Sequence, residues 1–140
     1  MENSSEIAKK SAAAMMARDQ ATQYLAIKLQ SIDAGVAEMT MQVRDFMLNG
    51  HQTCHGGYIF TLADSCFAFA CNSHNHKAVA FSCHITYLIP AYLGETLTAR
   101  AIERNRTGRN GIYDISISNE KQQIIAEFRG QSRQIEGSHY

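Results

Sequence analysis

Every second side chain is apolar along four stretches of the chain: residues 37–43, 96–101, 113–117 and 124–128. A period of two indicates a strand with one buried face. Residues 78–89 are also rich in strand-forming side chains, and they end at Pro90, the only proline. The connections are short, and residues 106–111, which contain an Asn-Gly pair, predict a tight turn. Because short connections join antiparallel neighbours, the pattern predicts an antiparallel sheet.

Two other segments have helical patterns. Residues 6–24 contain alanines and methionines, and Ser4 or Ser5 can cap the first turn, so this segment predicts an N-terminal helix. Residues 57–71 are apolar on nearly every face, which is typical of a buried helix, and their alanines and length favour helix over strand. The predicted fold class is therefore α+β, with an antiparallel sheet wrapped around one long central helix.

Composition and charge narrow the class of protein. Of the 140 residues, 45% are hydrophobic and 19% charged, so the chain can bury a core and is not disordered. Thirteen basic and thirteen acidic residues cancel, which argues against a nucleic-acid partner. No apolar run reaches the ~20 residues of a membrane span, and no secretory signal is visible. We expect one cytoplasmic domain over residues 1–140, with residues 1–23 as an N-terminal helical extension.

Cysteine and histidine are the candidate metal ligands. In a reducing compartment the cysteines are expected to be free thiols; they are Cys54, Cys66, Cys71 and Cys83. The only close run of metal-ligand types is Cys71, His74 and His76, and the chain has no Cys-x-x-Cys pair. Because zinc sites have tighter and repeated spacings, we predict no metal site.

One carboxylate is isolated in the predicted central helix. Asp64 is the only Asp, Glu, Lys or Arg between Asp45 and Lys77. Burying a carboxylate without a partner is costly, so such a group is neutralised, paired or functional. The adjacent Gly56 and Gly57 precede it at the helix start, where free backbone N–H groups and the helix dipole favour negative charge. That position suits an oxyanion that develops on an acyl carbonyl.

The spacing between these groups has a consequence for assembly. Gly56 and Asp64 are eight positions apart, or about 12 Å along a helix that rises ~1.5 Å per residue. A base and an oxyanion donor must both come within ~3 Å of the reacting group. One helix cannot supply both, whereas two antiparallel copies related by a two-fold axis can. We therefore predict a homodimer with two equivalent sites at its interface.

The segment from Asn49 to Asp64, N-G-x-x-x-C-H-G-G-x-x-F-x-L-A-D, closely resembles the hotdog-fold acyl-CoA thioesterases of the phenylacetic acid degradation (PaaI) type. The resemblance extends to the segment from His84 to Ala91, to Gly111-Ile-Tyr-Asp-Ile-Ser and to Phe128-Arg-Gly. It covers roughly residues 24–135. It implies a hotdog fold in which dimers pair into tetramers, and hydrolysis of acyl-CoA thioesters without a metal or other cofactor.

The resemblance also implies roles for individual residues. Asp64 is the expected general base or nucleophile, and the Gly56 N–H polarises the thioester carbonyl. Asn49 is expected to hold the attacking water or shape the pocket, and His55 to orient the thioester. Related thioesterases often carry a serine or threonine on the facing strand. The aligned residue here is Ala80, with Ser82 nearby, so that role stays open.

The expected substrate is an aryl-acetyl or medium-size acyl-CoA. Its phosphates need cations, and four arginines lie around the predicted turn: Arg100, Arg104, Arg106 and Arg109. Guanidinium groups suit phosphate, so Arg106 and Arg109 are the expected CoA contacts. Gly57 and Tyr58 are expected beside the substrate, and Tyr58 belongs to an aromatic group that is mainly core but includes candidates for an aryl-acyl pocket.

Two alternatives remain open. A hydratase or dehydratase of hydroxyacyl thioesters would use a histidine with a carboxylate, and His55 and Asp64 are available. The H-G-G-x6-D arrangement favours a thioesterase over that reading. A non-catalytic acyl-CoA sensor would normally carry a DNA-binding segment, and the residues before Tyr24 are neither long nor basic enough to be one.

Overall fold

A computed structural model describes all of residues 1–140. The helices are α1 (Ser4–Met16), α2 (Gln20–Tyr24) and α3 (Gly56–Cys71), with a 3-10 turn at Asp45–Met47. The strands are β1 (Lys28–Asp33), β2 (Val36–Gln42), β3 (Ala78–Tyr87), β4 (Thr96–Thr107), β5 (Asn110–Ser118) and β6 (Ile124–Gln134). They form one six-stranded sheet in the order β1-β2-β4-β5-β6-β3, and every pair is antiparallel. None of the helices has the length and apolar composition needed to cross a bilayer.

The sheet wraps around α3, which confirms the predicted α+β architecture. Leu62, Cys66 and Phe67 of α3 are essentially inaccessible to solvent. The Phe67 ring lies 5.6 Å from the ring of Tyr113 and 5.9 Å from that of Phe128. Gly130 makes this packing possible, since a Cβ there would come within 2.7 Å of the Phe67 ring. Burying a Phe side chain contributes roughly 1.5–3 kcal/mol, so α3 anchors the core.

The prediction of one continuous N-terminal helix is wrong. Two helices occupy that segment, and the chain turns between Ala17 and Asp19. The Asp19 carboxylate accepts a hydrogen bond from the Thr22 N–H at 3.0 Å and caps α2, which is why a new helix starts there. Asn3, and not Ser4 or Ser5, caps α1. The strand β1 was not predicted at all.

The hairpin between β4 and β5 turns two residues earlier than its Asn-Gly pair suggests. Thr107 pairs with Asn110, so the turn consists of Gly108 and Arg109. Gly108 has φ +61°, the left-handed conformation that favours glycine. Asn110 and Gly111 instead begin β5. Gly111 is needed for space, because a Cβ there would lie 2.8 Å from the Ser132 hydroxyl.

The strand β3 forms one edge of the sheet. Its only partner is β6, and the pairing shifts register between Ala80 and Ser82, so that Phe81 is a bulge residue. The other edge of β3 has free backbone hydrogen-bonding groups. Large apolar side chains along this edge are about half exposed; they are Val79, Phe81, Tyr87 and the following Leu88.

Candidate active site

The N-terminus of α3 carries the glycine pair. His55 is the N-cap, and its Nδ1 accepts a hydrogen bond from the Gly57 N–H at 2.9 Å. Because Nδ1 acts as the acceptor, the ring proton is on Nε2, which is free to donate outward. The Gly56 N–H has no acceptor within the protein. One unbonded backbone donor therefore lies at the positive end of the helix dipole.

A cleft of about 360 Å³ lies beside this helix terminus. Its lining is mostly apolar, with Ile59, Leu88, Ile89 and Pro90 around Gly56. Tyr87 closes one side, and its hydroxyl donates to the Gly56 carbonyl at 2.9 Å. A Cβ on Gly56 would lie 3.0 Å from the Tyr87 ring. Glycine is therefore required for this close approach.

Asp64 is half-buried in the middle of α3, and no donor or cation pairs with it. Burial raises its pKa above 3.8, and the charge of Asp19 raises it further. Two thiols lie near it. Burial is the larger cause that raises the pKa of the Cys83 thiol, and the Asp64 charge is the smaller one. The same two causes raise the pKa of Cys71 to about 12, so both thiols are neutral. One face of α3 is less buried than the rest, and it consists of Gly57, Thr61, Asp64 and Ala68.

Asn49 organises the loop before α3. Its side-chain oxygen accepts from the backbone N–H groups of His51 at 2.9 Å and Thr53 at 3.2 Å, and its amide donates to the Thr53 hydroxyl at 3.0 Å. These bonds are all within the loop, so they agree better with the expectation that Asn49 shapes the pocket than with the expectation that it holds the attacking water.

The four arginines do not form one cationic group. Along the sequence Glu103 is the only acidic residue among these arginines, but in the structure Arg100 pairs with Glu38 at 2.8 Å and Arg104 with Asp114 at 2.9 Å. Neighbouring strands supply those carboxylates. The remaining two arginines, Arg106 and Arg109, line one small cavity beside the C-terminus of α3.

That cavity also contains the candidate metal ligands. Cys71, His74 and His76 all line it. No cluster of three His, Cys, Asp or Glu side chains in the protein has the arrangement that would hold a metal ion. The His74 Nε2 is hydrogen-bonded to Glu103 at 2.9 Å, which occupies that nitrogen. All four cysteines are unpaired.

Gly56 and Asp64 remain eight residues apart on one straight helix, about 12 Å along its axis. The residues of one chain therefore do not converge on one reacting group. The model of the thioesterase superfamily matches residues 51–126, more than half of the chain, including both residues. The chain belongs to the thioesterase superfamily.

Individual thioesterases and their structures agree with this membership. The chain is 48% identical over 125 residues to the acyl-coenzyme A thioesterase PaaI of Escherichia coli, covering 89% of each protein. The crystal structure of E. coli PaaI from the phenylacetic acid degradation operon matches with a TM-score of 0.95 and 46% identity, over 97% of this chain and 99% of that one. A Streptococcus mutans protein solved with acetyl-CoA matches with a TM-score of 0.77 and 28% identity, over 80% and 90%. The resemblance and the hotdog fold are confirmed.

Sequence reasoning missed two neighbours of the candidate site. Tyr87 was seen only as part of a strand, yet it bonds Gly56. Cys83 lies close enough to Asp64 for the carboxylate charge to act on its thiol, whereas Ser82 and Ala80 are exposed on β3. The bulge at Phe81 changes which side chains face α3, and no local pattern announces such a bulge.

Proposed function

We propose that this thioesterase hydrolyses acyl-CoA, using Asp64 of one subunit and the Gly56 N–H of its partner on one substrate. The observation that carries the proposal is a complementary pair of unsatisfied groups on α3. Asp64 is a half-buried carboxylate without a partner, and Gly56 has a backbone donor without an acceptor. The identity to E. coli PaaI supports acyl-CoA as the substrate class, and the relative solved with acetyl-CoA supports it too.

The free edge of β3 supports a homodimer. An exposed, partly apolar edge strand of ten residues is a template for pairing with another strand. The less buried face of α3, with the small side chains Gly57 and Ala68, leaves room for a second helix to approach. An antiparallel partner would bring its own Gly56 beside Asp64. Pairing of such dimers into tetramers is the further assembly that the family resemblance implies.

The proposed reaction begins when Asp64 takes a proton from water and the resulting hydroxide attacks the thioester carbon. The oxyanion accepts a hydrogen bond from the partner's Gly56 N–H, and His55 orients the thioester through its Nε2–H. When the intermediate collapses, the CoA sulfur leaves and takes the proton back from Asp64. No metal or cofactor is required. The second route is direct attack by the Asp64 carboxylate on the thioester carbon, which breaks the C–S bond, expels CoA thiolate and gives an anhydride that water then hydrolyses.

The cleft beside Gly56 suits the acyl group. Its volume of about 360 Å³ and apolar lining are within the range of small-molecule pockets. Tyr87 lines the cleft and offers an aryl-acetyl group an aromatic neighbour, whereas Tyr58 is half-buried, packs edge-on to the His55 ring at 6.2 Å and is not part of the lining. We propose aryl-acetyl or medium-size acyl-CoA as the substrate.

Arg109 is the better of the two proposed phosphate contacts. It is exposed at the turn and makes no ion pair, whereas Arg106 lies 3.9 Å from the Glu103 carboxylate. Their cavity also contains Cys71, seven residues beyond Asp64, or about 10 Å along α3. CoA would therefore extend from the carbonyl towards the C-terminal end of the helix. The free thiols support the cytoplasmic location expected from the sequence.

The test of the carboxylate is a thiol-release assay on Asp64→Asn across a panel of acyl-CoAs. Removing the base should lower kcat by about 100-fold or more for every substrate. Asp45→Asn is the control, because that exposed carboxylate lies outside the proposed site. Turnover near that of the unmodified protein in folded Asp64→Asn would defeat the proposal.

Labelled water separates the two routes. In a single turnover, label that appears first in the Asp64 carboxylate means covalent attack. Label that appears only in the released acid means that Asp64 activates water.

Hybrid dimers test the sharing of sites. Asp64→Asn should be mixed with a variant whose Gly56 position is blocked, for example Gly56→Val. Heterodimers would contain one site with both groups intact and should regain a measurable rate, while each parent alone stays inactive. Proven heterodimers without activity would contradict a shared site.

The dehydratase alternative needs a histidine with a free lone pair. The His55 Nδ1 lone pair is already occupied by the Gly57 N–H, which disfavours His55 as the base. An absorbance assay with enoyl-CoA would detect hydration directly. We expect no change in that assay and a rise in free thiol.

A further inference from the structure

A hydroxyl–hydroxyl contact joins the short helix α2 to α3 at the residue that follows Asp64. The hydroxyls of Thr22 and Ser65 lie 3.0 Å apart, and both are shielded from solvent, with Thr22 1% and Ser65 9% exposed. Ser65 is the residue that follows Asp64. This contact is a buried polar link between the N-terminal segment and the centre of the proposed site.

The direction of the hydrogen bonds in this link follows from counting protons. The Thr22 hydroxyl donates to one oxygen of Asp19 at 2.7 Å, while the other oxygen accepts the Thr22 N–H at 3.0 Å. A hydroxyl has one proton, so Thr22 must accept from Ser65. The chain therefore runs from the Ser65 hydroxyl through Thr22 to the Asp19 carboxylate. Both carboxylate oxygens of Asp19 act as acceptors in this chain, so the hydrogen bonds fix the position of its side chain.

The charge of Asp19 reaches Asp64. After burial, it is the second cause that raises the pKa of Asp64. The other titratable groups that face Asp64 are the thiols of Cys71 on α3 and Cys83 on β3, which are neutral, and no cation from either element pairs with it. Asp19 is therefore the charged residue of the chain that raises the pKa of Asp64.

We propose that Asp19 is a positioning residue for the thioesterase reaction, ordering the Thr22–Ser65 link and keeping a negative charge beside Asp64. The inference rests on the proposed function for the role of Asp64 as the base. A carboxylate with a higher proton affinity is a stronger base, provided that it remains ionised at the working pH. The N-terminal segment thus contributes to the chemistry as well as to packing.

The first test measures Asp64 itself, by carboxyl-carbon NMR titration of protein labelled at aspartate, with the signal assigned through its loss in Asp64→Asn. In Asp19→Asn the pKa of Asp64 should fall, and the acid limb of kcat/KM should move to lower pH by the same amount. Asp33→Asn is the matched control; that exposed carboxylate bonds the N–H of Ala34, and its charge is not among the causes that act on Asp64. Asp33→Asn should change neither the Asp64 titration curve nor the pH profile of kcat/KM.

An unmoved Asp64 titration in folded Asp19→Asn overturns the inference, even if the rate falls. If the variant does not fold, Asp19→Ser replaces it, because a serine can still cap α2 but carries no charge. The pKa of Asp64 should fall in this variant too, and an unmoved titration overturns the inference in the same way. The proposed function fails separately, if Asp64→Asn keeps its activity while the Asp64 signal still responds to Asp19.

The hydroxyl link has its own test. Thr22→Val removes the hydroxyl at nearly constant volume and should lower kcat by about 3- to 10-fold, the scale of one hydrogen bond, with KM little changed. Thr22→Ser should restore the rate. Equal rates for the Val and Ser variants would show that the link has no positioning role.

Discussion

The polar groups near the two ends of α3 differ in whether they have hydrogen-bonding partners in the chain. At the C-terminal end, the Glu103 carboxylate accepts from the Tyr113 hydroxyl at 2.6 Å and from His74 at 2.9 Å. Asn72 uses its whole amide, donating to the carbonyls of Ala68 and Ala78 and accepting from the Ala78 N–H. Towards the N-terminal end and the middle of the helix, a backbone donor and a carboxylate have no partner in the chain.

This difference separates polar groups that stabilise the fold from polar groups that remain unsatisfied within the chain. A buried polar group without a partner costs free energy, so a protein normally satisfies it. The C-terminal end follows that rule. The half-buried Asp64 and the free Gly56 N–H break it, and a partner subunit and a substrate are the groups that would satisfy them. The comparison predicts that substitutions at one end change the rate and substitutions at the other change stability.

The largest effect is expected at the glycine. In Gly56→Ala the added methyl group would lie 3.0 Å from the Tyr87 ring, which must shift and pull its hydroxyl from the Gly56 carbonyl. Alanine keeps the backbone N–H, but the shift would displace it from the oxyanion, so we expect kcat to fall by up to about 100-fold, the scale of one lost oxyanion donor, as measured by thiol release. Gly50→Ala is the matched control, since nothing lies within 4 Å of its Cβ position. Equal rates for the two variants would contradict the assignment of Gly56.

At the other end, Tyr113→Phe should leave the rate unchanged and lower stability. The hydroxyl is buried and donates to a carboxylate, so its loss should cost about 1.5–3 kcal/mol in the free energy of unfolding, measured with urea. Tyr140→Phe is the matched control, because its hydroxyl bonds the exposed Glu2 and should change stability by less than about 0.5 kcal/mol. A slower enzyme with unaltered stability would reverse the comparison.

The two carboxylates should respond to pH with opposite signs. Burial raises the pKa of Asp64, so its ionised form destabilises the fold at pH values above 3.8. Burial also opposes ionisation of Glu103, but hydrogen bonds from Tyr113 and His74 outweigh it and the pKa lies below 4.5. Glu103 therefore stabilises the fold above pH 4.5, and this contribution is lost as the pH falls through its folded pKa.

Thermal unfolding as a function of pH measures both signs. Asp64→Asn should raise Tm at neutral pH, and the gain should vanish once Asp64 is protonated in acid. Glu103→Gln should lower Tm at neutral pH and matter less in acid. Two variants with the same sign at neutral pH would show that the ends of α3 do not differ in this way.

The smallest effect concerns Ser11, whose buried hydroxyl has no partner although it lies away from the proposed site. Ser11→Ala should raise the free energy of unfolding by about 1 kcal/mol and leave kcat unaltered. Ser5→Ala on the same helix corrects for the higher helix propensity of alanine. A change in kcat would mean that α1 also influences the reaction.

The sheet and central helix were predictable because burial there follows a regular period. Met39 and Met41 point inward from β2, and α3 is predominantly apolar through to Cys71. The strand β1 was missed because its register shifts between Leu29 and Ser31, so alternate side chains do not stay on one face. The helix break at Asp19 was missed because the alanine-rich segment before it favours a helix and no proline or glycine follows it before Tyr24.

For the site, local motifs identified Asp64 and the glycine pair, since a lone carboxylate and adjacent glycines are visible in the sequence. The hydrogen bond from Tyr87 was not predictable, because it depends on the register of β3 against β6. The approach of Asp19 to Asp64 depends on where α2 packs. Such contacts depend on how distant segments pack together, so no periodic pattern in the sequence predicts them.

The position of β6 in the chain has a consequence for biosynthesis. β3 carries Tyr87 and Cys83 to the candidate site, yet its only neighbour in the sheet is β6, the last of the six strands in chain order. Until Ile124–Gln134 has emerged from the ribosome, α3 and its apolar surface are only partly covered. A nascent chain that stalls before β6 would expose the most hydrophobic helix of the molecule to chaperones and proteases. Translation must therefore pass Gln134 before β3 has its partner in the sheet.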